Sequence, residues 1–204
     1  MKPPFFLIID FDSTVIQVEA LDELAEISLE NYPDKNQRKE QIRLLTNLGM
    51  EGKLEFPESL KQRICLLNAH RDDLKQLIRR LHKKISVSFI RNIDFFRNHA
   101  DSIYIVSGGF REFICPIIQE LGLKPENVYA NNFVFDNAGN IIGFDKKNIM
   151  GQKDGKVALL KMLNLDTDIY VIGDGYTDYQ IKSAGLANKF FAFTENIHRD
   201  NVVQ

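Results

Sequence analysis

Three short apolar runs constrain the fold of this 204-residue chain more than any other feature of its sequence. They are FFLII at 5–9, IYIV at 103–106 and IYVI at 169–172, and FFAF at 190–193 is similar. Short continuous runs rich in β-branched residues are typical of strands that are buried on both faces of a parallel sheet. Because helical patterns lie between these runs, the sequence predicts an α/β fold with a Rossmann-like parallel sheet.

The segment between the first and second runs is too long for one crossover helix. Residues 16–85 have the patterns of several helices and no strong strand, so we expect an inserted helical cap there. The α/β core then consists of residues 1–15 and 86–204. Residues 132–144 alternate apolar and polar side chains around a turn at 137–140, which predicts a hairpin at the sheet edge.

Composition narrows the class of protein and its partners. A net charge of −2 gives no reason to expect nucleic acid or a membrane surface as the main partner. Asp10 and Asp12 interrupt the first apolar run too early for a signal peptide, and no other stretch could cross a bilayer, so we expect a cytoplasmic protein. Cys65 and Cys115 are far apart in helical patterns, and we expect both to be reduced core residues.

Each of the three best runs ends in polar or glycine residues. The endings are DFDST at 10–14, SGGF at 107–110 and GDGYTD at 173–178. In open α/β sheets ligands bind beyond the carboxyl ends of the strands, so these three segments can converge on one site. Taken singly, each ending has an ordinary explanation as a helix cap, turn or loop, whereas three together favour a shared site.

The acidic residues at these ends suggest a metal site. Asp10 and Asp12 are two residues apart, so their side chains face the same way in an extended segment. A carboxylate pair in a pocket repels itself unless a cation or a shared proton intervenes. Asp174 adds a third carboxylate, and such a set suits a hard divalent ion such as Mg²⁺.

The second ending supplies groups for binding phosphate. Ser107 offers a hydroxyl, and Gly108 and Gly109 offer backbone N–H groups at a predicted helix start. Together with the carboxylates and the metal, this set indicates phosphoryl transfer. One aspartate would attack phosphorus as a covalent nucleophile while the other handles protons.

These motifs, with DFDSTVIQVEALDELA at 10–25 as the most specific of them, resemble those of the haloacid dehalogenase superfamily. They are most similar to the motifs of its phosphoserine phosphatases, in the same order and over nearly the whole chain. The resemblance implies that Asp10 is the nucleophile that becomes an aspartyl-phosphate. It also implies that Asp12 protonates the leaving seryl oxygen and then activates the hydrolytic water.

The same resemblance implies a complete metal site. Mg²⁺ would be held by Asp10, the backbone carbonyl of Asp12, and Asp174, with Asp178 supporting the site. Thr177 lies where the family often has a polar residue that contacts the substrate.

Phosphoserine carries an ammonium and a carboxylate beside its phosphate, so a selective pocket needs one anion and one cation. Glu19 follows the first motif and can supply the anion, while Arg63 lies at the edge of an apolar helix face in 56–67. Spacing alone favours ordinary surface charges, or an Arg63 that bridges a carboxylate of the cap, over a role in specificity. The resemblance assigns Glu19 to the substrate amine and Arg63 to its carboxylate.

The family also has a lysine at a helix start before the third motif, which neutralises charge between phosphate and nucleophile. The segment QKDGKVALL at 152–160 offers Lys153 and Lys156. We prefer Lys156 because it directly precedes the apolar helix pattern, with Lys153 as the alternative. Either residue could instead be a solvated helix terminus.

These observations, together with the resemblance, predict a Mg²⁺-dependent phosphatase that hydrolyses O-phospho-L-serine. The resemblance implies that this reaction belongs to serine biosynthesis. One alternative is the same chemistry on another small phosphomonoester, including transfer to an alcohol. A second is a non-catalytic module that senses phosphate or Mg²⁺. Relatives usually continue past a segment like 190–197 with a further strand and helix. We therefore expect an exposed apolar edge, a homodimer contact, or a chain that is part of a longer fusion protein.

Overall fold

The computed structural model describes residues 3–200 and 202, which form strands and helices in alternation. The strands are β1 Phe5–Ile9, β2 Ile103–Phe110, β3 Val128–Asn131, β4 Phe133–Phe135, β5 Ile141–Phe144, β6 Asp168–Gly173 and β7 Lys189–Ala192. The helices are α1 Ala20–Ser28, α2 Lys35–Met50, α3 Phe56–Leu67, α4 Asp73–His82, α5 Val87–Arg91, α6 Ile93–Asn98, α7 Arg111–Glu120, α8 Gly155–Leu163 and α9 Tyr176–Ser183. Among the described residues, no helix is both long and apolar enough to cross a membrane.

The main sheet has five strands in the order β3-β2-β1-β6-β7, and its pairs are all parallel. The predicted α/β fold with a Rossmann-like sheet is therefore confirmed, and the four apolar runs are β1, β2, β6 and β7. The sequence prediction missed β3, whose apolar run is short. At the other edge, Phe191 on β7 is 50% exposed.

Strand β1 shows why its sequence is apolar without alternation. Leu7 and Ile9 pack into the core on one face of the sheet. Phe6 and Ile8 pack into a second core on the other face. Because both faces are covered, every residue of the strand interior gains from being apolar.

Helices α1–α4 lie between β1 and β2 and are joined to the sheet by two adjacent connections. Ile16 and Ile85 form an antiparallel bridge, and the N–H of Ser86 donates to the carbonyl of Val15 at 2.9 Å. The chain therefore leaves the sheet and returns to it at one place. This geometry suits a cap over 16–85, and the division into two domains stays a prediction.

The hairpin at 132–144 forms, but its predicted position is wrong. Strands β4 and β5 make a separate two-stranded sheet instead of extending the main one. The Phe133 ring stacks on Phe110 at 3.6 Å between centroids. The N–H of Ile141 donates to the carbonyl of Ala69 at 2.8 Å, between α3 and α4. The first contact holds the hairpin against the end of β2, and the second holds it against the connection between α3 and α4.

The two cysteines are free thiols, as expected, but Cys65 is not a core residue. It is exposed because α3 buries its opposite face, which carries Leu60, Ile64 and Leu67. Cys115 on α7 is half-buried.

Candidate active site

The three strand endings meet at one edge of the sheet because β1 lies between β2 and β6. They contribute to a single pocket together with residues from α3, α8 and α9 and from the turn before α1. The predicted site residues that line this pocket are Asp10, Asp12, Glu19, Arg63, Ser107, Gly108, Gly109, Lys156 and Thr177. Asp174 and Asp178 are buried beside Asp10. The structure thus brings every predicted site residue to one place.

The loop after β1 turns both of its aspartates toward the pocket. The N–H of Phe11 donates to Asp10 Oδ1 at 2.7 Å, and the N–H of Ala20 donates to Asp12 Oδ1 at 2.7 Å. Ser13 has a φ of 52°, in the left-handed region that a non-glycine residue adopts at a cost. Asp12 therefore does bind a backbone N–H at the start of α1, like a helix cap, while its carboxylate also lines the pocket.

Three carboxylates form a tight buried cluster beside the pocket. One oxygen from each of Asp10, Asp174 and Asp178 lies within 4.8 Å of the others. The ammonium of Lys156 is 2.9 Å from Asp10 Oδ2 and 2.7 Å from Asp178 Oδ1. Lys153, the alternative lysine, is exposed and pairs with Glu55 at 2.6 Å. Of the two candidates, only Lys156 contacts the cluster.

The protonation of this cluster is strongly perturbed. The pKa of Asp174 is raised to about 7, first by burial and then by the charges of Glu19 and Asp10, while Arg199 opposes the shift. Burial also raises the pKa of Asp178 well above its usual value. For Lys156, burial lowers the pKa, but the carboxylates of Asp10 and Asp178 outweigh burial, so its pKa is raised overall. The cluster therefore has more negative charge than its lysine can neutralise.

A divalent cation fits this donor set. The carboxylates in and beside the pocket are Asp10, Asp12, Glu19, Asp174 and Asp178. The cations that face them are Lys156, Arg63 and Arg199. When all are ionised, the set has two negative charges in excess, and its donors are the hard oxygens that divalent cations of the Mg²⁺ class prefer. The residues present thus match a metal ion in both charge and ligand type.

The end of β2 forms a compact polar corner. The N–H of Gly109 donates to Ser107 Oγ at 3.0 Å, and Ser107 is buried. A Cβ atom on Gly108 would lie 2.5 Å from the Phe56 ring, so only glycine lets α3 approach this corner so closely. Asn131 donates to the carbonyl of Gly108 at 2.9 Å and holds the corner from β3. Sequence reasoning selected neither Phe56 nor Asn131, since both contacts join segments distant in the chain.

Arg63 is a buried charge and Glu19 is half-buried, which argues against their being ordinary surface residues. Glu19 is 13% exposed and accepts a hydrogen bond from Ser13 Oγ at 2.8 Å. Arg63 is 4% exposed, and its Nη1 donates to Thr46 Oγ1 at 3.3 Å. Its Nε has no hydrogen-bond partner among the described residues. Burial raises the pKa of Glu19 and lowers the pKa of Arg63. The opposite charges around each residue therefore do not fully offset the cost of removing its charge from water.

Arg199 is the main residue that sequence reasoning missed. Its Nε donates to Asp174 Oδ2 at 2.9 Å, and its Nη2 lies 3.8 Å from Glu19 Oε1. The segment around it, NIHRDN at 196–201, has no pattern that marks a site residue. Only the path of the chain after β7 brings this arginine to the carboxylates.

Comparison with known proteins identifies the family. The sequence model of the haloacid dehalogenase-like hydrolases matches residues 7–181. The chain belongs to this family. This hydrolase is 32% identical to the phosphoserine phosphatase of Drosophila melanogaster over 197 residues, which are 95% of the chain and 69% of that protein. It is 31% identical to the phosphoserine phosphatase of Methanocaldococcus jannaschii over 198 residues, which are 94% of the chain and 87% of that protein.

A solved structure is similar over almost the whole hydrolase. It is a phosphoserine phosphohydrolase-like protein from Francisella tularensis, with 31% identity and a TM-score of 0.86. The match covers 97% of this chain and 91% of that one. The resemblance of the motifs to the haloacid dehalogenase superfamily and its phosphoserine phosphatases is confirmed by these relatives.

Proposed function

We propose that this hydrolase removes phosphate from O-phospho-L-serine through an aspartyl-phosphate on Asp10. The observation that carries the proposal is that one pocket holds a buried nucleophile cluster and two opposite charges largely withdrawn from solvent, Glu19 and Arg63. The named activity of the fly and Methanocaldococcus relatives supports the same substrate.

The two half-reactions need one nucleophile and one proton carrier. A carboxylate oxygen of Asp10 attacks phosphorus, the bond from phosphorus to the seryl oxygen breaks, and Asp12 gives its proton to that oxygen. Asp12 then takes a proton from water, whose oxygen attacks the same phosphorus and releases Asp10 and phosphate. The Ser107 hydroxyl, the backbone N–H of Gly108 and the Lys156 ammonium are our candidates for holding the phosphoryl oxygens, with Gly109 shaping the corner.

We assign a divalent cation, proposed to be Mg²⁺, to Asp10, the backbone carbonyl of Asp12, and Asp174. Asp178 supports this site, because its carboxylate accepts from Lys156 at 2.7 Å and from the N–H of Gly175 at 3.2 Å. When bound, the cation supplies charge neutralisation for the phosphoryl oxygens.

Glu19 and Arg63 are our candidates for substrate recognition. A carboxylate withdrawn from water is stabilised most by a positively charged partner. A buried guanidinium is stabilised most by a planar carboxylate that accepts two hydrogen bonds. The ammonium and carboxylate of phosphoserine satisfy both. Thr177, at the start of α9, lines the same pocket and is our candidate for a further contact with the substrate.

Residues 16–85 would act as a cap that excludes water during attack by Asp10. Contacts of Phe56 with Gly108 and of Glu55 with Lys153 join α3 to the sheet side of the pocket. The proposed reaction would serve serine biosynthesis in the cytoplasm. A homodimer and a longer fusion protein stay predictions.

A phosphate-release assay over small phosphomonoesters, with and without Mg²⁺, tests the proposal. We expect many turnovers of O-phospho-L-serine, a requirement for Mg²⁺, and no activity in Asp10→Asn. Equal turnover of phosphomonoesters without an amino group would favour the alternative of another substrate. A single stoichiometric phosphorylation would favour a sensing module.

A further inference from the structure

Arg199 is a buried cation that lies behind the pocket and contacts two of its carboxylates. Its side chain is 6% exposed, and its Nε is 2.9 Å from Asp174 Oδ2. Its Nη2 lies 3.8 Å from Glu19 Oε1 and has no hydrogen-bond partner among the described residues. We propose that Arg199 is an internal counter-charge that stabilises the carboxylate cluster and opposes the divalent cation at Asp174. The inference rests on the metal assignment within the proposed function.

Arg199 would oppose the divalent cation because both positive groups interact with the same carboxylate, that of Asp174. A buried carboxylate without a counter-charge is destabilising by several kcal/mol, so a paired Arg199 stabilises the folded chain. A cation bound by Asp174 would lie within a few ångströms of the same guanidinium, and two positive charges at that distance repel each other. Arg199 therefore favours the folded protein while it weakens metal binding.

The position of Arg199 is set by its neighbours in the chain rather than by the pocket. The Nδ2 of Asn196 contacts the carbonyl of Ser13 at 3.1 Å and Ser86 Oγ at 2.7 Å. The hydroxyl of Ser86 in turn donates to the carbonyl of Thr14 at 2.6 Å. Asn196 thus ties the segment after β7 to both connections between the sheet and α1–α4. A guanidinium on this anchored segment can stay beside Asp174 when a cation is bound.

The test compares Arg199→Gln with the wild-type protein in two measurements that need no substrate. Calorimetric titration with Mg²⁺ at pH 9, about two units above the pKa of Asp174 in the wild type, avoids competition from a proton on this carboxyl. It should show about tenfold tighter binding in Arg199→Gln, because a like charge near the site is gone. Thermal unfolding without Mg²⁺ should show a lower Tm for Arg199→Gln. The Tm difference should then narrow as Mg²⁺ is added, since tighter binding stabilises the variant more.

Two further variants make the result decisive. Arg91→Gln removes the same charge from an exposed position on α5 and should change neither measurement. Arg199→Lys retains the charge and should bind Mg²⁺ close to the wild-type affinity. Binding in Arg199→Lys as tight as that expected for Arg199→Gln would overturn the proposal, because the charge would then not be the cause. Unchanged or weaker Mg²⁺ binding in Arg199→Gln would overturn the proposal, because a purely structural role predicts weaker binding. Absence of Mg²⁺ binding in the wild type would overturn it too, whereas failure on phosphoserine alone would not.

Discussion

The ammonium of Lys156 lies 2.9 Å from Asp10 Oδ2 and 2.7 Å from Asp178 Oδ1, so one buried cation joins the proposed nucleophile to the carboxylate that supports it. The lysine is in the first turn of α8, and Asp178 is in the first turn of α9. The packing of two helices therefore fixes the charge environment of Asp10. Removal of this lysine should affect both stability and chemistry.

Lys156→Met should lower kcat/KM by about 100-fold or more, because it removes a charge that faces the transferring phosphoryl group. It should also lower the free energy of unfolding by about 3–5 kcal/mol, since two buried carboxylates lose their partner. Steady-state kinetics and urea unfolding measure the two effects.

Lys153→Met is the matched control for this prediction. Lys153 is exposed, so water screens its pair with Glu55 and the pair should contribute little to stability. We expect activity and stability near the wild-type values. A large loss of activity in Lys153→Met with little loss in Lys156→Met would reverse our choice of lysine.

A second prediction concerns recognition of the substrate by Glu19 and Arg63. The double variant Glu19→Gln, Arg63→Gln should lower kcat/KM for O-phospho-L-serine by about 1,000-fold, because both charged ends of the substrate lose their partners. It should leave turnover of an aryl phosphate within about threefold of the wild-type value. The double variant Glu40→Gln, Arg91→Gln changes the same charges at exposed positions and serves as control. Parallel loss on both substrates would show that these residues support the fold or the chemistry instead of specificity.

The apolar runs could be interpreted from sequence because the sheet is covered on both faces. Ile8 and Ile9 point to opposite cores, so the strand shows continuous hydrophobicity that few other structures produce. The position of the site followed from the strand order, since β1, β2 and β6 end at the same edge. Both the buried strands and the polar residues at their ends are visible in short stretches of the sequence.

Contacts between segments that are distant in the chain could not be predicted from short stretches of the sequence. Arg199 reaches Asp174 only because the chain after β7 turns back, and the hairpin leaves the main sheet because Ile141 pairs with Ala69. The choice of lysine depended on where α8 begins. Asp154 has a φ of 53° and ends the preceding loop, so Lys156 enters the helix while Lys153 stays outside it.

A third prediction concerns the pH dependence of metal binding. In the protein without metal, burial and the charges of Glu19 and Asp10 raise the pKa of Asp174 to about 7. Mg²⁺ binds the ionised carboxylate, so below pH 7 it must displace a proton. The affinity for Mg²⁺ should therefore fall about tenfold between pH 8 and pH 6.

Calorimetry in two buffers of different ionisation enthalpy measures this effect, since it counts the protons released on binding. We expect close to one proton at pH 6 and almost none at pH 8. The same carboxyl makes the metal-free fold less stable as the pH rises from about 4 to 7, because the folded state holds the proton more tightly than the unfolded chain. An affinity for Mg²⁺ that is constant over this range would contradict the assignment of Asp174 as a ligand.

The last prediction concerns the contact between Gly108 and Phe56, where α3 meets the end of β2. A Cβ atom at Gly108 would lie 2.5 Å from the Phe56 ring, so Gly108→Ala must push the ring or the whole helix away from the pocket. We expect kcat/KM to fall about tenfold or more, because Arg63 on the same helix moves with it. Phe56→Ala in the Gly108→Ala background should recover part of the loss, since it removes the clash. Gly143→Ala on β5 meets no atom within 4 Å and should be neutral. If the second substitution deepened the loss instead, the cause would be damage to the phosphate corner itself rather than displacement of α3.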